Sequence, residues 1–229
     1  MKKIRLFAII ALSAICVNVS AQEVSPSGWQ YGWLQYNSGS TRSDYAYYNI
    51  MKFSGVSLGY SKTFGISDRW PLYLDAGIGV QYSYDKITAS LTQEDKSIQY
   101  STKKFRMLSA KIPVNITYKY DIPNINLSVL PFFGLNFRFN ILASQNTDNI
   151  IMKNGEISYQ DKHTENCFDS DDMGKSDYTW NRFQAGWELG VKAIYDNKYM
   201  LGLSYGKDFN EIGKNTKIHT TSLTLGYIF

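Results

Sequence analysis

The 229 residues carry 44% hydrophobic, 19% charged and 15% aromatic side chains, with 18 Tyr and 12 Phe, and a mean hydropathy of −0.30. This profile excludes a bundle of membrane-spanning helices, each of which needs about 20 apolar residues in a row, and equally excludes disorder, collagen and a disulfide scaffold. The formal charge of +4 is concentrated at one end of the chain, so it is no footprint of nucleic-acid binding.

That end is the N-terminus. Lys2, Lys3 and Arg5 precede an apolar run over residues 6–17, and Val19-Ser20-Ala21 forms a small-residue cleavage site before Gln22. Residues 1–21 are thus expected to be a secretory signal peptide, too short to span a membrane. A lipidated Cys16 is rejected, because Ile15 and Ser13 stand where a small residue and a leucine are needed. The remaining domain, residues 22–229, keeps a net charge of only +1 once Lys2, Lys3 and Arg5 are removed. It holds Cys167 alone, which excludes an internal disulfide, and just two histidines, His163 and His219, so no cofactor or metal is expected.

Period-two alternation then runs through the chain. A first strand is needed around residues 29–37, although its alternation is poor. Val56, Leu58, Tyr60 and Phe64 oppose Ser57, Gly59, Ser61 and Thr63. Over 72–84, Leu72, Leu74, Ala76, Ile78, Val80, Tyr82 and Tyr84 oppose Asp75, Gly77, Gly79, Gln81 and Ser83. Over 108–120, Leu108, Ala110, Ile112, Val114, Ile116, Tyr118 and Tyr120 oppose Ser109, Lys111, Asn115, Thr117 and Lys119. Over 125–143, Leu127, Val129, Phe133, Leu135, Phe137, Phe139 and Ile141 oppose Ser128, Gly134, Asn136, Arg138 and Asn140. The stretch 183–195 sets Phe183, Trp187, Leu189, Val191 and Tyr195 against Gln184, Glu188 and Lys192; 199–209 and 222–229 repeat the pattern, the last with Leu223, Leu225, Tyr227 and Phe229. Soluble strands are usually about five or six residues long; these are twice that.

Eight strands result, joined alternately by long connections (38–52, 86–103, 144–180, 210–217) and short ones (65–71, 121–124, 196–198). Long loops on one side, with short turns and both termini on the other, predict an all-β, eight-stranded antiparallel up-and-down transmembrane barrel in the outer membrane, with periplasmic turns and extracellular loops. The apolar faces agree. Phe64, Tyr118, Tyr120, Tyr195, Tyr199, Tyr227 and Phe229 ring the short-turn side; Tyr82, Tyr84, Phe139, Phe183, Tyr205 and Phe209 ring the long-loop side; aliphatics lie between. That is the double aromatic girdle of a lipid-facing wall. A soluble sandwich or lipocalin-like barrel would need far more Lys and Glu on the opposite parity.

The ending Leu225-Gly226-Tyr227-Ile228-Phe229 resembles the C-terminal aromatic-x-aromatic signal read by the barrel-assembly machinery, with Thr224 where a glycine is common. Leu130-Pro131-Phe132-Phe133-Gly134 and Gly186-Trp187-Glu188-Leu189-Gly190 resemble the small outer membrane protein beta-barrel (PorT-like) family of Bacteroidetes. The resemblance implies eight strands and outer-membrane residence, with lipid, lipopolysaccharide and the assembly machinery as partners; Tyr227 and Phe229 would carry the assembly signal.

The inward parity places Asp75, Lys111, Lys119, Arg138, Arg182, Glu188, Lys192 and Asp208 in the lumen, which in eight strands is just wide enough to be filled by side chains. Charges there must be paired. Lys111, Arg138 and Glu188, on consecutive strands near mid-barrel, are the candidate lumen network. The expected function is a structural, interaction or secretion-accessory barrel working through its extracellular loops, with a small porin-like channel as the alternative. A lipid A-modifying enzyme is the remote third: His219 and Thr221 share the outward face, but Thr replaces Ser and no outward acid is evident beside them. The loop 144–180 is acidic, and Asp169-Ser170-Asp171-Asp172-Met173-Gly174 imitates the start of a calcium loop but has Met173 at the fifth position and Trp180 at the twelfth. No catalytic site is predicted.

Overall fold

A computed structural model describes residues 28–43, 52–92, 97–122, 124–153, 156–169 and 179–229. The expected signal peptide and most of the calcium-like segment lie outside them. Ten strands follow in order: β1 Gln30–Ser43, β2 Ser54–Gly65, β3 Leu72–Thr92, β4 Ile98–Tyr118, β5 Tyr120–Ile122, β6 Leu127–Lys153, β7 Glu156–Asn166, β8 Phe183–Tyr195, β9 Tyr199–Asp208 and β10 Thr216–Ile228. Eight of them close a ring in the order β1, β2, β3, β4, β6, β8, β9, β10, with β10 antiparallel to β1 along the seam. β5 continues the line of β4 past Lys119, and β7 pairs only with the upper part of β6.

The alternation sets the wall. Leu58, Ile78, Val80, Ile116, Phe133, Leu203 and Leu225 face outward and are exposed, whereas Ser57, Ser61, Gln81, Ser109, Asn115, Ser222 and Thr224 face inward and are buried. This inverts a soluble protein's arrangement and leaves an apolar belt for lipid. Short turns hold left-handed residues of types that tolerate them: Asn124, Asn126, Asp196 and Asn197, with φ of 75°, 48°, 51° and 52°.

Three expectations are corrected. The first strand runs six residues beyond 37, and its alternation was masked because Tyr31 and Trp33 point inward while Leu34 and Tyr36 point to lipid. Second, segments 86–103 and 144–180 are not simply loops. Residues 85–92 of β3, 98–106 of β4 and 144–153 of β6, with β7, form a four-stranded blade rising above one side of the barrel. Toward its tip neither face of this blade is buried, so no apolar parity marks it there, while at its base Asp85, Phe105, Gln145 and Thr147 are buried. Third, the alternation over 125–143 is interrupted. A bulge leaves Ile141 without a partner between the pairs Ser109–Asn140 and Leu108–Leu142, which reverses the parity and turns Ala143, Gln145 and Thr147 inward.

The candidate functional site in the lumen

The lumen is built in three layers. At the short-turn end, Tyr31, Trp33, Leu130, Ile194 and Met200 form an apolar cap, with Trp29 and Ile228 packed against it. At the opposite mouth, Phe53, Phe105, Met107, Ala143, Cys167, Ile212 and Ile218 form a second cap, completed by Ile87, Phe168 and Trp180. Trp180 stacks on Phe105 at 5.7 Å and meets Phe53 edge-on at 5.6 Å. Polar side chains fill the space between.

That middle layer holds six buried charges: Asp75, Glu188 and Asp208 against Lys111, Arg138 and Lys192. The signs balance, as a dry interior requires. Lys192 on β8 pairs with Asp75 on β3 across the lumen, and the Tyr31 hydroxyl donates to the same carboxylate at 2.6 Å. Arg138 on β6 pairs with Asp208 on β9. The guanidinium spans the intervening strand β8 at Gly186, which is paired with Asp208 and where an added Cβ would lie 3.0 Å from the Asp208 carboxylate oxygen. Lys111 donates to Gln35 Oε1 at 2.6 Å and lies 5.8 Å from the Trp33 ring centroid. Glu188 accepts a hydrogen bond from Asn136 Nδ2 at 3.3 Å.

Lys111, Arg138 and Glu188 are therefore all buried in the lumen, as three members of a larger set rather than one triad. Register explains the difference. Lys111 stands directly across from Arg138, a cation opposite a cation, while Glu188 faces Gly134 and Arg138 faces Gln184. Each cation turns to a more distant partner. Asp75, Lys192 and Asp208 stood on the inward parity, but which charges meet depends on shear, and no residue pattern reports shear. Two inward assignments are revised. Arg182 precedes the first pleat of β8 and is exposed, its guanidinium 4.1 Å from the Phe168 ring centroid. Lys119 sits in the gap between β4 and β5, half-buried, 3.0 Å from Asp121.

What space remains is small. One cavity of about 30 Å³ lies against Tyr31, Trp33 and Lys192, and another of about 20 Å³ against Asn37, Arg138 and Asp208. Lys111, Glu188 and Ser204 border both and separate them. Each has room for one or two waters.

On the outer wall, His219 Nδ1 is 2.8 Å from the Tyr205 hydroxyl, and Thr221 is paired with Tyr205 across the ladder. Tyr227 and Phe229 are exposed at the short-turn end, where Phe229 stacks against Tyr60 at 6.0 Å and Tyr227 meets Tyr199 at 5.9 Å. Among the described residues, no group of three His, Cys, Asp or Glu is placed to hold a metal ion.

A closed ring with apolar residues outside, charges within and unequal ends is what a family model described as outer membrane protein beta-barrel domain captures, and it matches residues 7–229. The chain belongs to that family. As an outer membrane protein beta-barrel, it resides in the cell outer membrane, its short turns on the periplasmic side. Among solved structures this barrel is similar to Ail, the attachment invasion locus protein of Yersinia pestis, at 12% identity and a TM-score of 0.40, covering 89% of this chain and 99% of that one. It is similar also to Neisserial surface protein A, at 14% identity and a TM-score of 0.41, covering 87% and 97%. The N-terminal β-barrel domain of Pseudomonas aeruginosa OprF matches at 14% identity and a TM-score of 0.29, covering 88% and 99%. No curated protein matches the chain.

Proposed function

We propose that this outer-membrane barrel works through its extracellular blade and loops, as a structural, interaction or secretion-accessory protein of the PorT-like kind, with a lumen that does not conduct. The carrying observation is the layered lumen: two apolar caps enclose six mutually compensating charges and leave cavities of about 30 and 20 Å³. A conducting pore needs a continuous wet path lined by free polar groups. Here the cations are engaged by Asp75, Asp208 and Gln35. The blade supports the reading from the other side, since its four paired strand segments extend past the closed eight-strand ring and form no part of it. In the same reading, Tyr227 and Phe229 present the exposed C-terminal aromatics that the barrel-assembly machinery takes up.

Planar-bilayer recording of the refolded, heat-modifiable barrel tests this. The expected result is no stable conductance steps above the detergent control. Reproducible single-channel openings would overturn the closed-lumen reading in favour of a small porin.

A further inference from the structure

The outward face of the wall does not end at the aromatic girdle. On β3 the lipid-facing series Ile78, Val80, Tyr82, Tyr84 continues upward to Lys86, and on β4 the series Ile112, Ala110, Leu108 continues to Arg106 and Lys104. Ladder pairing fixes their relation. Arg106 is directly opposite Tyr84, at girdle height, and Lys104 is directly opposite Lys86, one outward position higher. Directly opposed side chains have Cβ atoms about 5 Å apart, and the next outward position lies about 7 Å further along the strand. Three cations therefore share a patch of roughly one headgroup's width on the bilayer side of the protein.

None of the three side chains forms an ion pair among the described residues. Asp148 on β6, diagonal to Lys104 on the same face, is 3.5 Å from Lys162 of β7 and accepts from Gln160 at 3.1 Å. Asp161 and Glu165 of β7 lie on the opposite parity, where Glu165 accepts from the inward Gln145. Like charges directly opposite on neighbouring strands are unfavourable, so Lys86 and Lys104 stand where stability alone would not put them. Neutral donors surround them: Thr88 and Thr102, 3.3 Å apart above, and Asn146 and Ser144 on the adjoining β6.

We propose that Lys86, Lys104 and Arg106 bind the phosphate groups of an outer-leaflet glycolipid whose acyl chains lie against β3 and β4. Height and direction select this occupant. The three ammonium and guanidinium groups emerge immediately above Tyr82 and Tyr84, on the side where lipid packs, and aromatic girdles mark headgroup level. A lipid seated on Ile78, Val80 and Leu108 carries its phosphates to that height. The site does not depend on whether the lumen conducts.

The test is native mass spectrometry of the detergent-purified full chain titrated with lipid A, and in parallel with the same lipid stripped of phosphate. Each basic group near an anionic headgroup contributes about a fivefold affinity factor, so the triple variant Lys86→Gln, Lys104→Gln, Arg106→Gln is expected to bind lipid A about tenfold or more weakly than wild type. Lys162→Gln, on the same face but engaged with Asp148, is expected within about twofold of wild type. Wild-type retention by the triple variant overturns the assignment. So does equal binding of phosphorylated and stripped lipid by the wild-type protein, a comparison that stands even if the triple variant does not fold. Release of bound lipid A by millimolar inorganic phosphate would reassign the patch to free phosphate and overturn the lipid site.

Discussion

Asp208→Asn removes one charge from the middle layer of the lumen, whose six buried charges cancel, Asp85 lying buried nearer the long-loop mouth. The Arg138 and Asp208 side chains are 6% and 10% exposed, so the isosteric amide leaves a guanidinium in a nearly dry site without its carboxylate. Breaking one partner of a buried pair costs about 3–5 kcal/mol, whereas an exposed pair is worth about 1 kcal/mol or less. Glu188→Gln provides the internal standard. Glu188 is equally buried but makes one hydrogen bond, to Asn136 at 3.3 Å, which a carboxamide oxygen also accepts. Its cost is expected at about 1.5–3 kcal/mol, the scale of a hydrogen bond to a charged group. The measurement is equilibrium urea unfolding from lipid vesicles, followed by tryptophan fluorescence and by the heat-modifiable gel shift. With a slope of about 2 kcal/mol/M, Asp208→Asn moves the midpoint down by roughly 1.5–2.5 M. Replacing Arg138 and Asp208 together by neutral residues should recover part of that loss. If Asp208→Asn and Glu188→Gln both unfold with the wild-type midpoint, the lumen is hydrated at these positions and the reasoning from burial fails.

Two further outcomes follow from packing. The Trp33 indole lies over Gly59 and Gly79, where added Cβ atoms would fall 2.3 Å and 2.6 Å from the ring. Gly59→Ala should therefore cost about 1–3 kcal/mol, while Gly32→Ala, whose nearest neighbour is the Phe229 ring at 3.7 Å, should unfold near wild type; equal midpoints for the two would refute the close approach. Cys167 is wholly buried in the extracellular cap, and burial pushes its thiol up to about 12. At pH 8 its alkylation in the folded barrel should be slower by roughly 10³-fold than in urea, where the thiol regains its ordinary value, and labelling at the unfolded rate would show the cap open.

The membrane-spanning wall was legible because lipid imposes a parity on each strand. Ile78, Val80 and Tyr82 could face only outward once Gly79, Gln81 and Ser83 were set against them. Where both sides of a strand meet similar surroundings, the pattern vanished. Tyr31 and Trp33 bury against the lumen cap while Leu34 and Tyr36 meet lipid, so large apolar side chains stand on both parities of β1 and its alternation reads as poor. Toward the blade tip, residues 88–92 and 98–104 have no buried face, and a paired strand there reads as loop. The bulge at Ile141 reverses the parity of β6, which hid Ala143 as a member of an apolar cap. The lumen charges were legible as a set; their partners were not, because Arg138 reaches Asp208 across β8 by a stagger between strands that leaves no mark on residue order.

The seam between β1 and β10 has a consequence for how the molecule comes into being. Gln35 bonds Thr224 at 3.0 Å and Asn37 accepts from Ser222 at 2.9 Å, contacts separated by 189 and 185 residues. They form only when the two ends of the chain meet. Contacts of such sequence separation carry the largest loop-closure cost and slow folding. Gln35 also accepts from Lys111, so the strand that meets β10 at the seam carries the partner of the central cation as well. Closing the last strand on the first is therefore the step that completes the longest-range polar contacts of the lumen.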